Sequence, residues 1–361
     1  MRGVRGCALR CVPSVFFLLL VGFPAIQAAR AEDKPAWLGL IAGPPAASET
    51  VLAADMASLF ATSGDLRLRP MLGDTGAGNL DLLLGDPGVD LAFVSTDAIA
   101  AQAANGKGLK GRLELVARLA PQEIHLLARS DIGNVSDLSG KKVNFGPEGS
   151  ASAVAAAAVF KTFGIEVVAV HLDTTAGIEQ LKQGALSAAV IVGCRPSPLV
   201  AAIPINAGVN LLPVPFSAPL DEAYLPARLD SSDYPNLIRG GSEVPTVATG
   251  IVLLAASGKK SAGARQRLDR FVASVFPRFA ELQAEGRHPK WREVNLAASL
   301  PGFKRAPAVE AWLAETAEQK TQPMTASAVA GQMRVVPEVM SKEQQEALFT
   351  RFIEWQRGKQ R

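Results

Sequence analysis

Cysteine, histidine and excess charge are all scarce in this sequence of 361 residues. It holds three cysteines and three histidines. Cys7 and Cys11 fall within residues 1–31, which carry the marks of a secretory signal peptide. Arg2, Arg5 and Arg10 precede a short apolar core from Val15 to Phe23, and Ala29–Ala31 offers a small-x-small cleavage site. Such a core is too short for a membrane span, so cleavage ahead of Glu32 and release into the periplasm are expected. Cys194 then stands alone, which excludes an intramolecular disulfide and leaves stability to the apolar core. Cleavage takes four arginines and no acid, turning 37 basic against 34 acidic residues into 33 against 34. A net charge near −1 has no basic excess to neutralise phosphates, so nucleic acid is not an expected partner. No later apolar run approaches the ~20 residues of a spanning helix, so the mature chain is expected to be soluble.

Catalytic and metal motifs are missing as well. HExxH, CxxC, GxSxG and the phosphate-loop pattern do not occur, and Gly76-Ala77-Gly78 lacks the third glycine of a dinucleotide fingerprint. His125 and His171 sit in strand-like runs and read as structural. His288, in Gly286-Arg287-His288-Pro289, reads as a surface turn. Cys194 follows an apolar run and reads as a buried, inert thiol. No metal, no cofactor and no catalysis are expected.

What is present is an alternation of short apolar runs with helical patterns, in a chain that is 48% apolar. Strands are expected at 37–41, 66–72, 91–95, 124–129, 142–145, 167–172, 188–192, 210–214 and 250–255. Helices are expected at 50–62, 79–84, 96–105, 152–163 and 175–183, the last two stopped by Gly164 and Gly184. Alternation of this kind implies parallel α/β sheets, and two are expected. The C-terminal third reads as mostly helical. An apolar stripe from Leu268 to Leu282 is interrupted by Pro277, which should kink it. Ser341 with Gln344 forms a capping box ahead of Leu348, Phe349, Phe352, Ile353 and Trp355.

Four strand-to-helix junctions are rich in Gly, Ser and Thr. They contain Ser48 and Glu49; Ser95, Thr96 and Asp97; Gly149, Ser150 and Ser152; and Arg195 with Ser197. In open parallel sheets ligands sit beyond the carboxyl ends of strands, where helix starts offer free N–H groups. Asn79, Thr174 and Thr175 open further helical patterns. Such loops suit a carboxylate or another small polar anion, which Arg195 would grip through its planar fork.

These junctions also carry a resemblance. Asp90–Asp97 (DLAFVSTD), Leu119–Arg129 (LAPQEIHLLAR), Leu138–Ser150 (LSGKKVNFGPEGS), Val190–Leu199 (VIVGCRPSPL) and Val244–Val247 (VPTV) resemble blocks of the TAXI-type solute-binding subunits of TRAP transporters. The likeness runs from about Trp37 to His288. It implies a type II-like, two-lobed periplasmic-binding-protein fold, α/β in class, with hinge strands and a helical C-terminal extension. Lobe one would take 36–121 plus 247–303, lobe two 122–246, and the extension 304–361. The hinge would lie at Leu119–Ile124 and Val244–Ile251. The resemblance also implies capture of a small organic acid or amino acid and its delivery to the membrane permease subunits of a TRAP-type transporter. A binding module for a sensor, or an enzyme on the same fold, are the alternatives. The chain departs from the family at Gly43–Glu49, where two prolines and an acid replace a Gly-rich, Tyr-containing loop. Glu49 at that place would favour a cationic group.

Overall fold

The computed structural model describes residues 35–61, 66–217, 220, 223–258 and 263–321. Its first elements alternate: β1 (Ala36–Ile41), α1 (Ser48–Ser58), β2 (Leu66–Met71), α2 (Ala77–Gly85), β3 (Leu91–Ser95) and α3 (Thr96–Ala104). The 17-residue β4 (Leu113–Arg129) follows. A second alternating set comprises β5 (Lys142–Asn144), α4 (Ala151–Thr162), β6 (Val168–Val170), α5 (Thr174–Lys182), β7 (Ala188–Gly193) and α6 (Pro198–Ala201). The chain returns through β8 (Val209–Leu212), β9 (Leu225–Asp230) and the 14-residue β10 (Glu243–Ala256). It continues through α7 (Ala264–Val275), α8 (Phe279–Leu282), a 3-10 turn at Pro289–Glu293, β11 (Lys304–Arg305) and α9 (Pro307–Thr321).

Local chemistry sets several of these boundaries. Ser95 and Ser150 cap α3 and α4 by accepting from the N–H groups of Ala98 and Ala153. Gly164 and Gly184, at φ 63° and 78°, take the left-handed turn that ends α4 and α5. Pro277 lies in the gap between α7 and α8, where its missing N–H cannot serve a helix.

The strands form one continuous sheet in the order β2-β1-β3-β10-β4-β7-β5-β6, rather than the two sheets expected from the sequence. The reason is strand length. At ~3.3 Å per residue, β4 and β10 are long enough to serve both ends of the sheet. They pair antiparallel with each other and each closes a parallel trio: β10 borders β3, next to β1 and β2, while β4 borders β7, next to β5 and β6. The expected hinge segments lie within these two strands, and their pairing carries register shifts at Gly250/Val252 and Leu253/Leu254.

Each half of the sheet is packed on both faces. Leu40, Phe93 and Leu253 join one cluster with Phe60 and Phe271, while their neighbours Ile41, Val94 and Leu254 join another with Leu80. In the second half, Leu126 and Val190 pack with Val143 and Phe160, while Leu127 and Ile191 pack with Leu211 and Tyr234. Adjacent residues point to opposite faces because the strand repeat is two. Burial of each such side chain contributes about 1.5–3 kcal/mol. Helix α9 covers the first half: Val309 is buried and Trp312 meets Phe276 edge-on. The expected signal segment and the capped Ser341 helix lie outside the described residues.

Candidate functional site

The carboxyl ends of the strands and the starts of α1, α4 and α5 converge on a cavity of about 70 Å³. Six of the residues singled out in the sequence line it: Ser48, Glu49, Ser150, Ser152, Thr174 and Ser197. Asp74, Thr75, Asp173, Ile191, Val192 and Leu199 are lining residues that sequence reasoning missed. Asp173 carried a usable signal, since an acid directly before Thr174-Thr175 is a helix cap, and it does accept from Ala176 N at 2.9 Å.

Residues distant in sequence hold the cavity shut. The Ser48 hydroxyl donates to the carbonyls of Cys194 at 2.6 Å and Pro196 at 3.1 Å. Glu49 Oε1 accepts from Cys194 N at 2.9 Å and from Gln122 Nε2 at 2.8 Å. Ala77 N donates to the Gly149 carbonyl at 3.0 Å. The Tyr224 phenol donates to Asp97 Oδ2 at 2.8 Å. Ser152 Oγ accepts from Val192 N, and Ser197 N donates to the Tyr234 phenol at 2.7 Å. Burial raises the pKa of Asp74, against four N–H groups that pull it down. Burial, then the charge of Asp97, pushes the Tyr224 phenol well up.

Seven candidates are not brought to the cavity wall. Asn79 is a strut: its Nδ2 donates to the carbonyls of Ala42 and Phe93, and its Oδ1 accepts from Asp74 N. Ser95 is a cap, Thr96 bonds Thr249 at 3.1 Å, and Asp97 is taken by Tyr224. Gly149, at φ 75°, offers its carbonyl to Ala77, and Thr175 is exposed. Arg195 departs most from expectation. Its guanidinium is drawn away by carboxylates, at 3.1 Å from Asp230, 2.7 Å from Asp233 and 3.5 Å from Glu123. It borders a second, more open depression of about 480 Å³ on the crossing strands. The smaller cavity remains the candidate site, because strand ends and helix starts converge there.

The histidines and the cysteine serve the framework. His125 is buried and bonds the Tyr234 phenol at 2.7 Å, and burial lowers its pKa to about 4. His171 bonds the Gly146 carbonyl at 2.9 Å. His288 is buried rather than at the surface. Its N–H is held by Asp55, which also takes the Trp291 indole and Arg287, so the Gly286–Pro289 turn folds inward. The buried Lys290 meets Glu123 at 2.6 Å; burial lowers the pKa of Lys290, but the Glu123 carboxylate holds it raised overall. Cys194 is buried, and desolvation followed by the nearby Glu49 and Glu123 holds its thiol protonated. Among the described residues no group of three or more His, Cys, Asp and Glu side chains is arranged to hold a metal ion.

Fold and site together define an α/β protein in which one mixed sheet, with helices on both faces, carries a small polar cavity at the strand ends. The chain belongs to the NMT1-like family, whose profile matches residues 74–258. Among solved structures it is similar to a TctC solute-binding protein from Polaromonas, with 16% identity, TM-score 0.40, and coverage of 78% of this chain and 94% of that one. It is also similar to the alkanesulfonate-binding protein SsuA from Xanthomonas axonopodis pv. citri bound to MOPS (17%, TM-score 0.43, coverage 80% and 95%). A third is the periplasmic binding protein BugD (13%, TM-score 0.47, coverage 79% and 95%).

Proposed function

We propose that this protein is a periplasmic solute-binding subunit that captures a small organic acid or amino acid and delivers it to a TRAP-type membrane transporter. One observation carries the reading: the cavity is walled by Ser48, Glu49 and Asp74 from one end of the sheet and by Ser150, Ser152 and Thr174 from the other. A solute there touches both ends at once, which favours the closed arrangement over an open one. Residues 36–121 with 247–303 would move as one lobe against 122–246, flexing at β4 and β10 where their register shifts. The protein is read as a carrier without catalysis. The TAXI-like blocks around Leu138–Ser150 and Val190–Leu199 support the TRAP assignment over other transporter types.

Thermal-shift screening of the mature chain against carboxylates and amino acids tests the reading. Binding to the native state alone raises the midpoint with concentration, by about 2.7 kcal/mol of stability at 100 times Kd. A screen in which no small polar solute moves the midpoint contradicts it.

A further inference from the structure

We infer that the solute must carry an ammonium group and that Glu49, with Asp74, selects for it; this rests on the solute-binding reading above. The walls of the cavity contain three ionisable side chains, Glu49, Asp74 and Asp173, and no Lys, Arg or His. Among the described residues none of the three enters an ion pair. Neutral donors meet them: Cys194 N, the Cys194 thiol and the Gln122 amide on Glu49, Gly76 N and Asn79 N on Asp74, and Ala176 N on Asp173. Glu49 is 1% exposed. No cation stands beside it in the cavity wall, and an anionic solute would face it directly.

The group behind Glu49 is uncharged as well. Gln122 is fully buried, its Nε2 donates to Glu49, and its Oε1 has no hydrogen-bond partner. The side chain behind Glu49 thus brings it a neutral donor and no cation. An ammonium supplies three donors, one positive charge and no acceptor, whereas a simple carboxylate adds only acceptors. The carboxylates are not clustered as metal ligands among the described residues, so an organic ammonium fits better than a metal ion. The 12-residue α4 starts in the wall at Ser150, and its N-terminal dipole tolerates a carboxylate on the same solute. The cavity of about 70 Å³ leaves room for a small solute only.

Matched pairs that exchange ammonium for hydroxyl test this directly by calorimetric titration: L-alanine against L-lactate, L-serine against L-glycerate, and ethanolamine against ethylene glycol, with succinate added. The expected result is binding of at least one amine, with its hydroxyl partner on the order of a hundredfold weaker. Glu49→Gln keeps an amide oxygen for Cys194 N and should lose on the order of tenfold or more in amine affinity while the unliganded melting temperature holds. Asp74→Asn serves as the second variant if Glu49→Gln does not fold. Binding of lactate, glycerate or succinate with no preference for amines overturns the inference and leaves the solute-binding reading standing. Failure of every probe overturns both.

Discussion

The Ser48 hydroxyl donates to the Cys194 carbonyl at 2.6 Å, across 146 residues of sequence. The adjacent Glu49 carboxylate accepts the N–H of the same residue at 2.9 Å. Both backbone polar groups of Cys194 are therefore satisfied by the first turn of α1, and the Cys194 side chain packs in the core of the first half. Closure of the cavity is built on this stitch.

Ser48→Ala removes the stitch and leaves the buried Cys194 carbonyl without its donor. The expected loss is about 1–3 kcal/mol, or ~2–4 °C of melting temperature per kcal/mol. Differential scanning calorimetry of the unliganded variant checks it. An unchanged midpoint means the bond is not made in solution.

Gly76→Ala addresses the other side of the cavity. A Cβ there would lie 2.2 Å from the Gly149 carbonyl, in backbone that cannot step aside without parting the two halves. The variant should fold, because the atoms its Cβ meets are confined to the 149–151 segment at this one meeting of the two halves. It should have a larger radius by small-angle scattering and bind solute more weakly. A variant as compact as wild type under saturating solute contradicts the role of this contact.

Arg195→Ala should cost stability first. The guanidinium is 26% exposed and serves Asp230, Asp233 and Glu123 together, so its loss leaves Asp233 without its cation and Glu123 with Lys290 alone. A loss of about 2–4 kcal/mol is expected by denaturant unfolding, with partial recovery in Arg195→Lys because an ammonium cannot span the same acceptors. Unchanged stability with lost solute affinity would place the residue back at the ligand.

Acid should weaken the fold through His125. Burial lowers its pKa to about 4 from an ordinary 6.5. The unfolded chain therefore binds the proton first, and stability is full above pH ~6.5 and falls as pH drops toward 4. The groups facing it are the Tyr234 phenol and the Ile191 carbonyl, and the nearby Lys290 and Arg195 charges also disfavour protonation. The contribution is about 3 kcal/mol over that window. Denaturant titrations at pH 7 and pH 4 should show a smaller fall in His125→Gln than in wild type. Equal falls would exclude this residue as the source.

Most strands were legible because each is a short Val-, Leu- or Ile-rich run ended by Gly, Pro or Asp. The crossing strands were read only in part. β10 contains Pro245 opposite Arg228, and β4 contains Pro121 opposite Gly250, so the apolar pattern breaks in mid-strand. β9 escaped notice because it pairs with β10 at the side of the sheet and buries only Leu229. The site was legible where strand end meets helix start, which located Ser48, Glu49, Ser150, Ser152, Thr174 and Ser197. The direction of a side chain is not written in local sequence. Arg195 turns toward Asp230 and Asp233, some 35 residues on, and the Asp55 side chain reaches the backbone N–H of His288, 233 residues on.

The central claim is that the cavity between Glu49 and Thr174 carries a small solute. Native mass spectrometry of protein purified without denaturation from an exporting host measures this directly, in wild type and in Thr174→Trp, whose indole would fill about 70 Å³. The account predicts a small organic adduct on the wild-type protein, displaced by excess of a binding amine, and a bare mass for Thr174→Trp of the same fold. An adduct retained in the blocked variant, or a wild-type protein that stays bare in every solute offered, contradicts it.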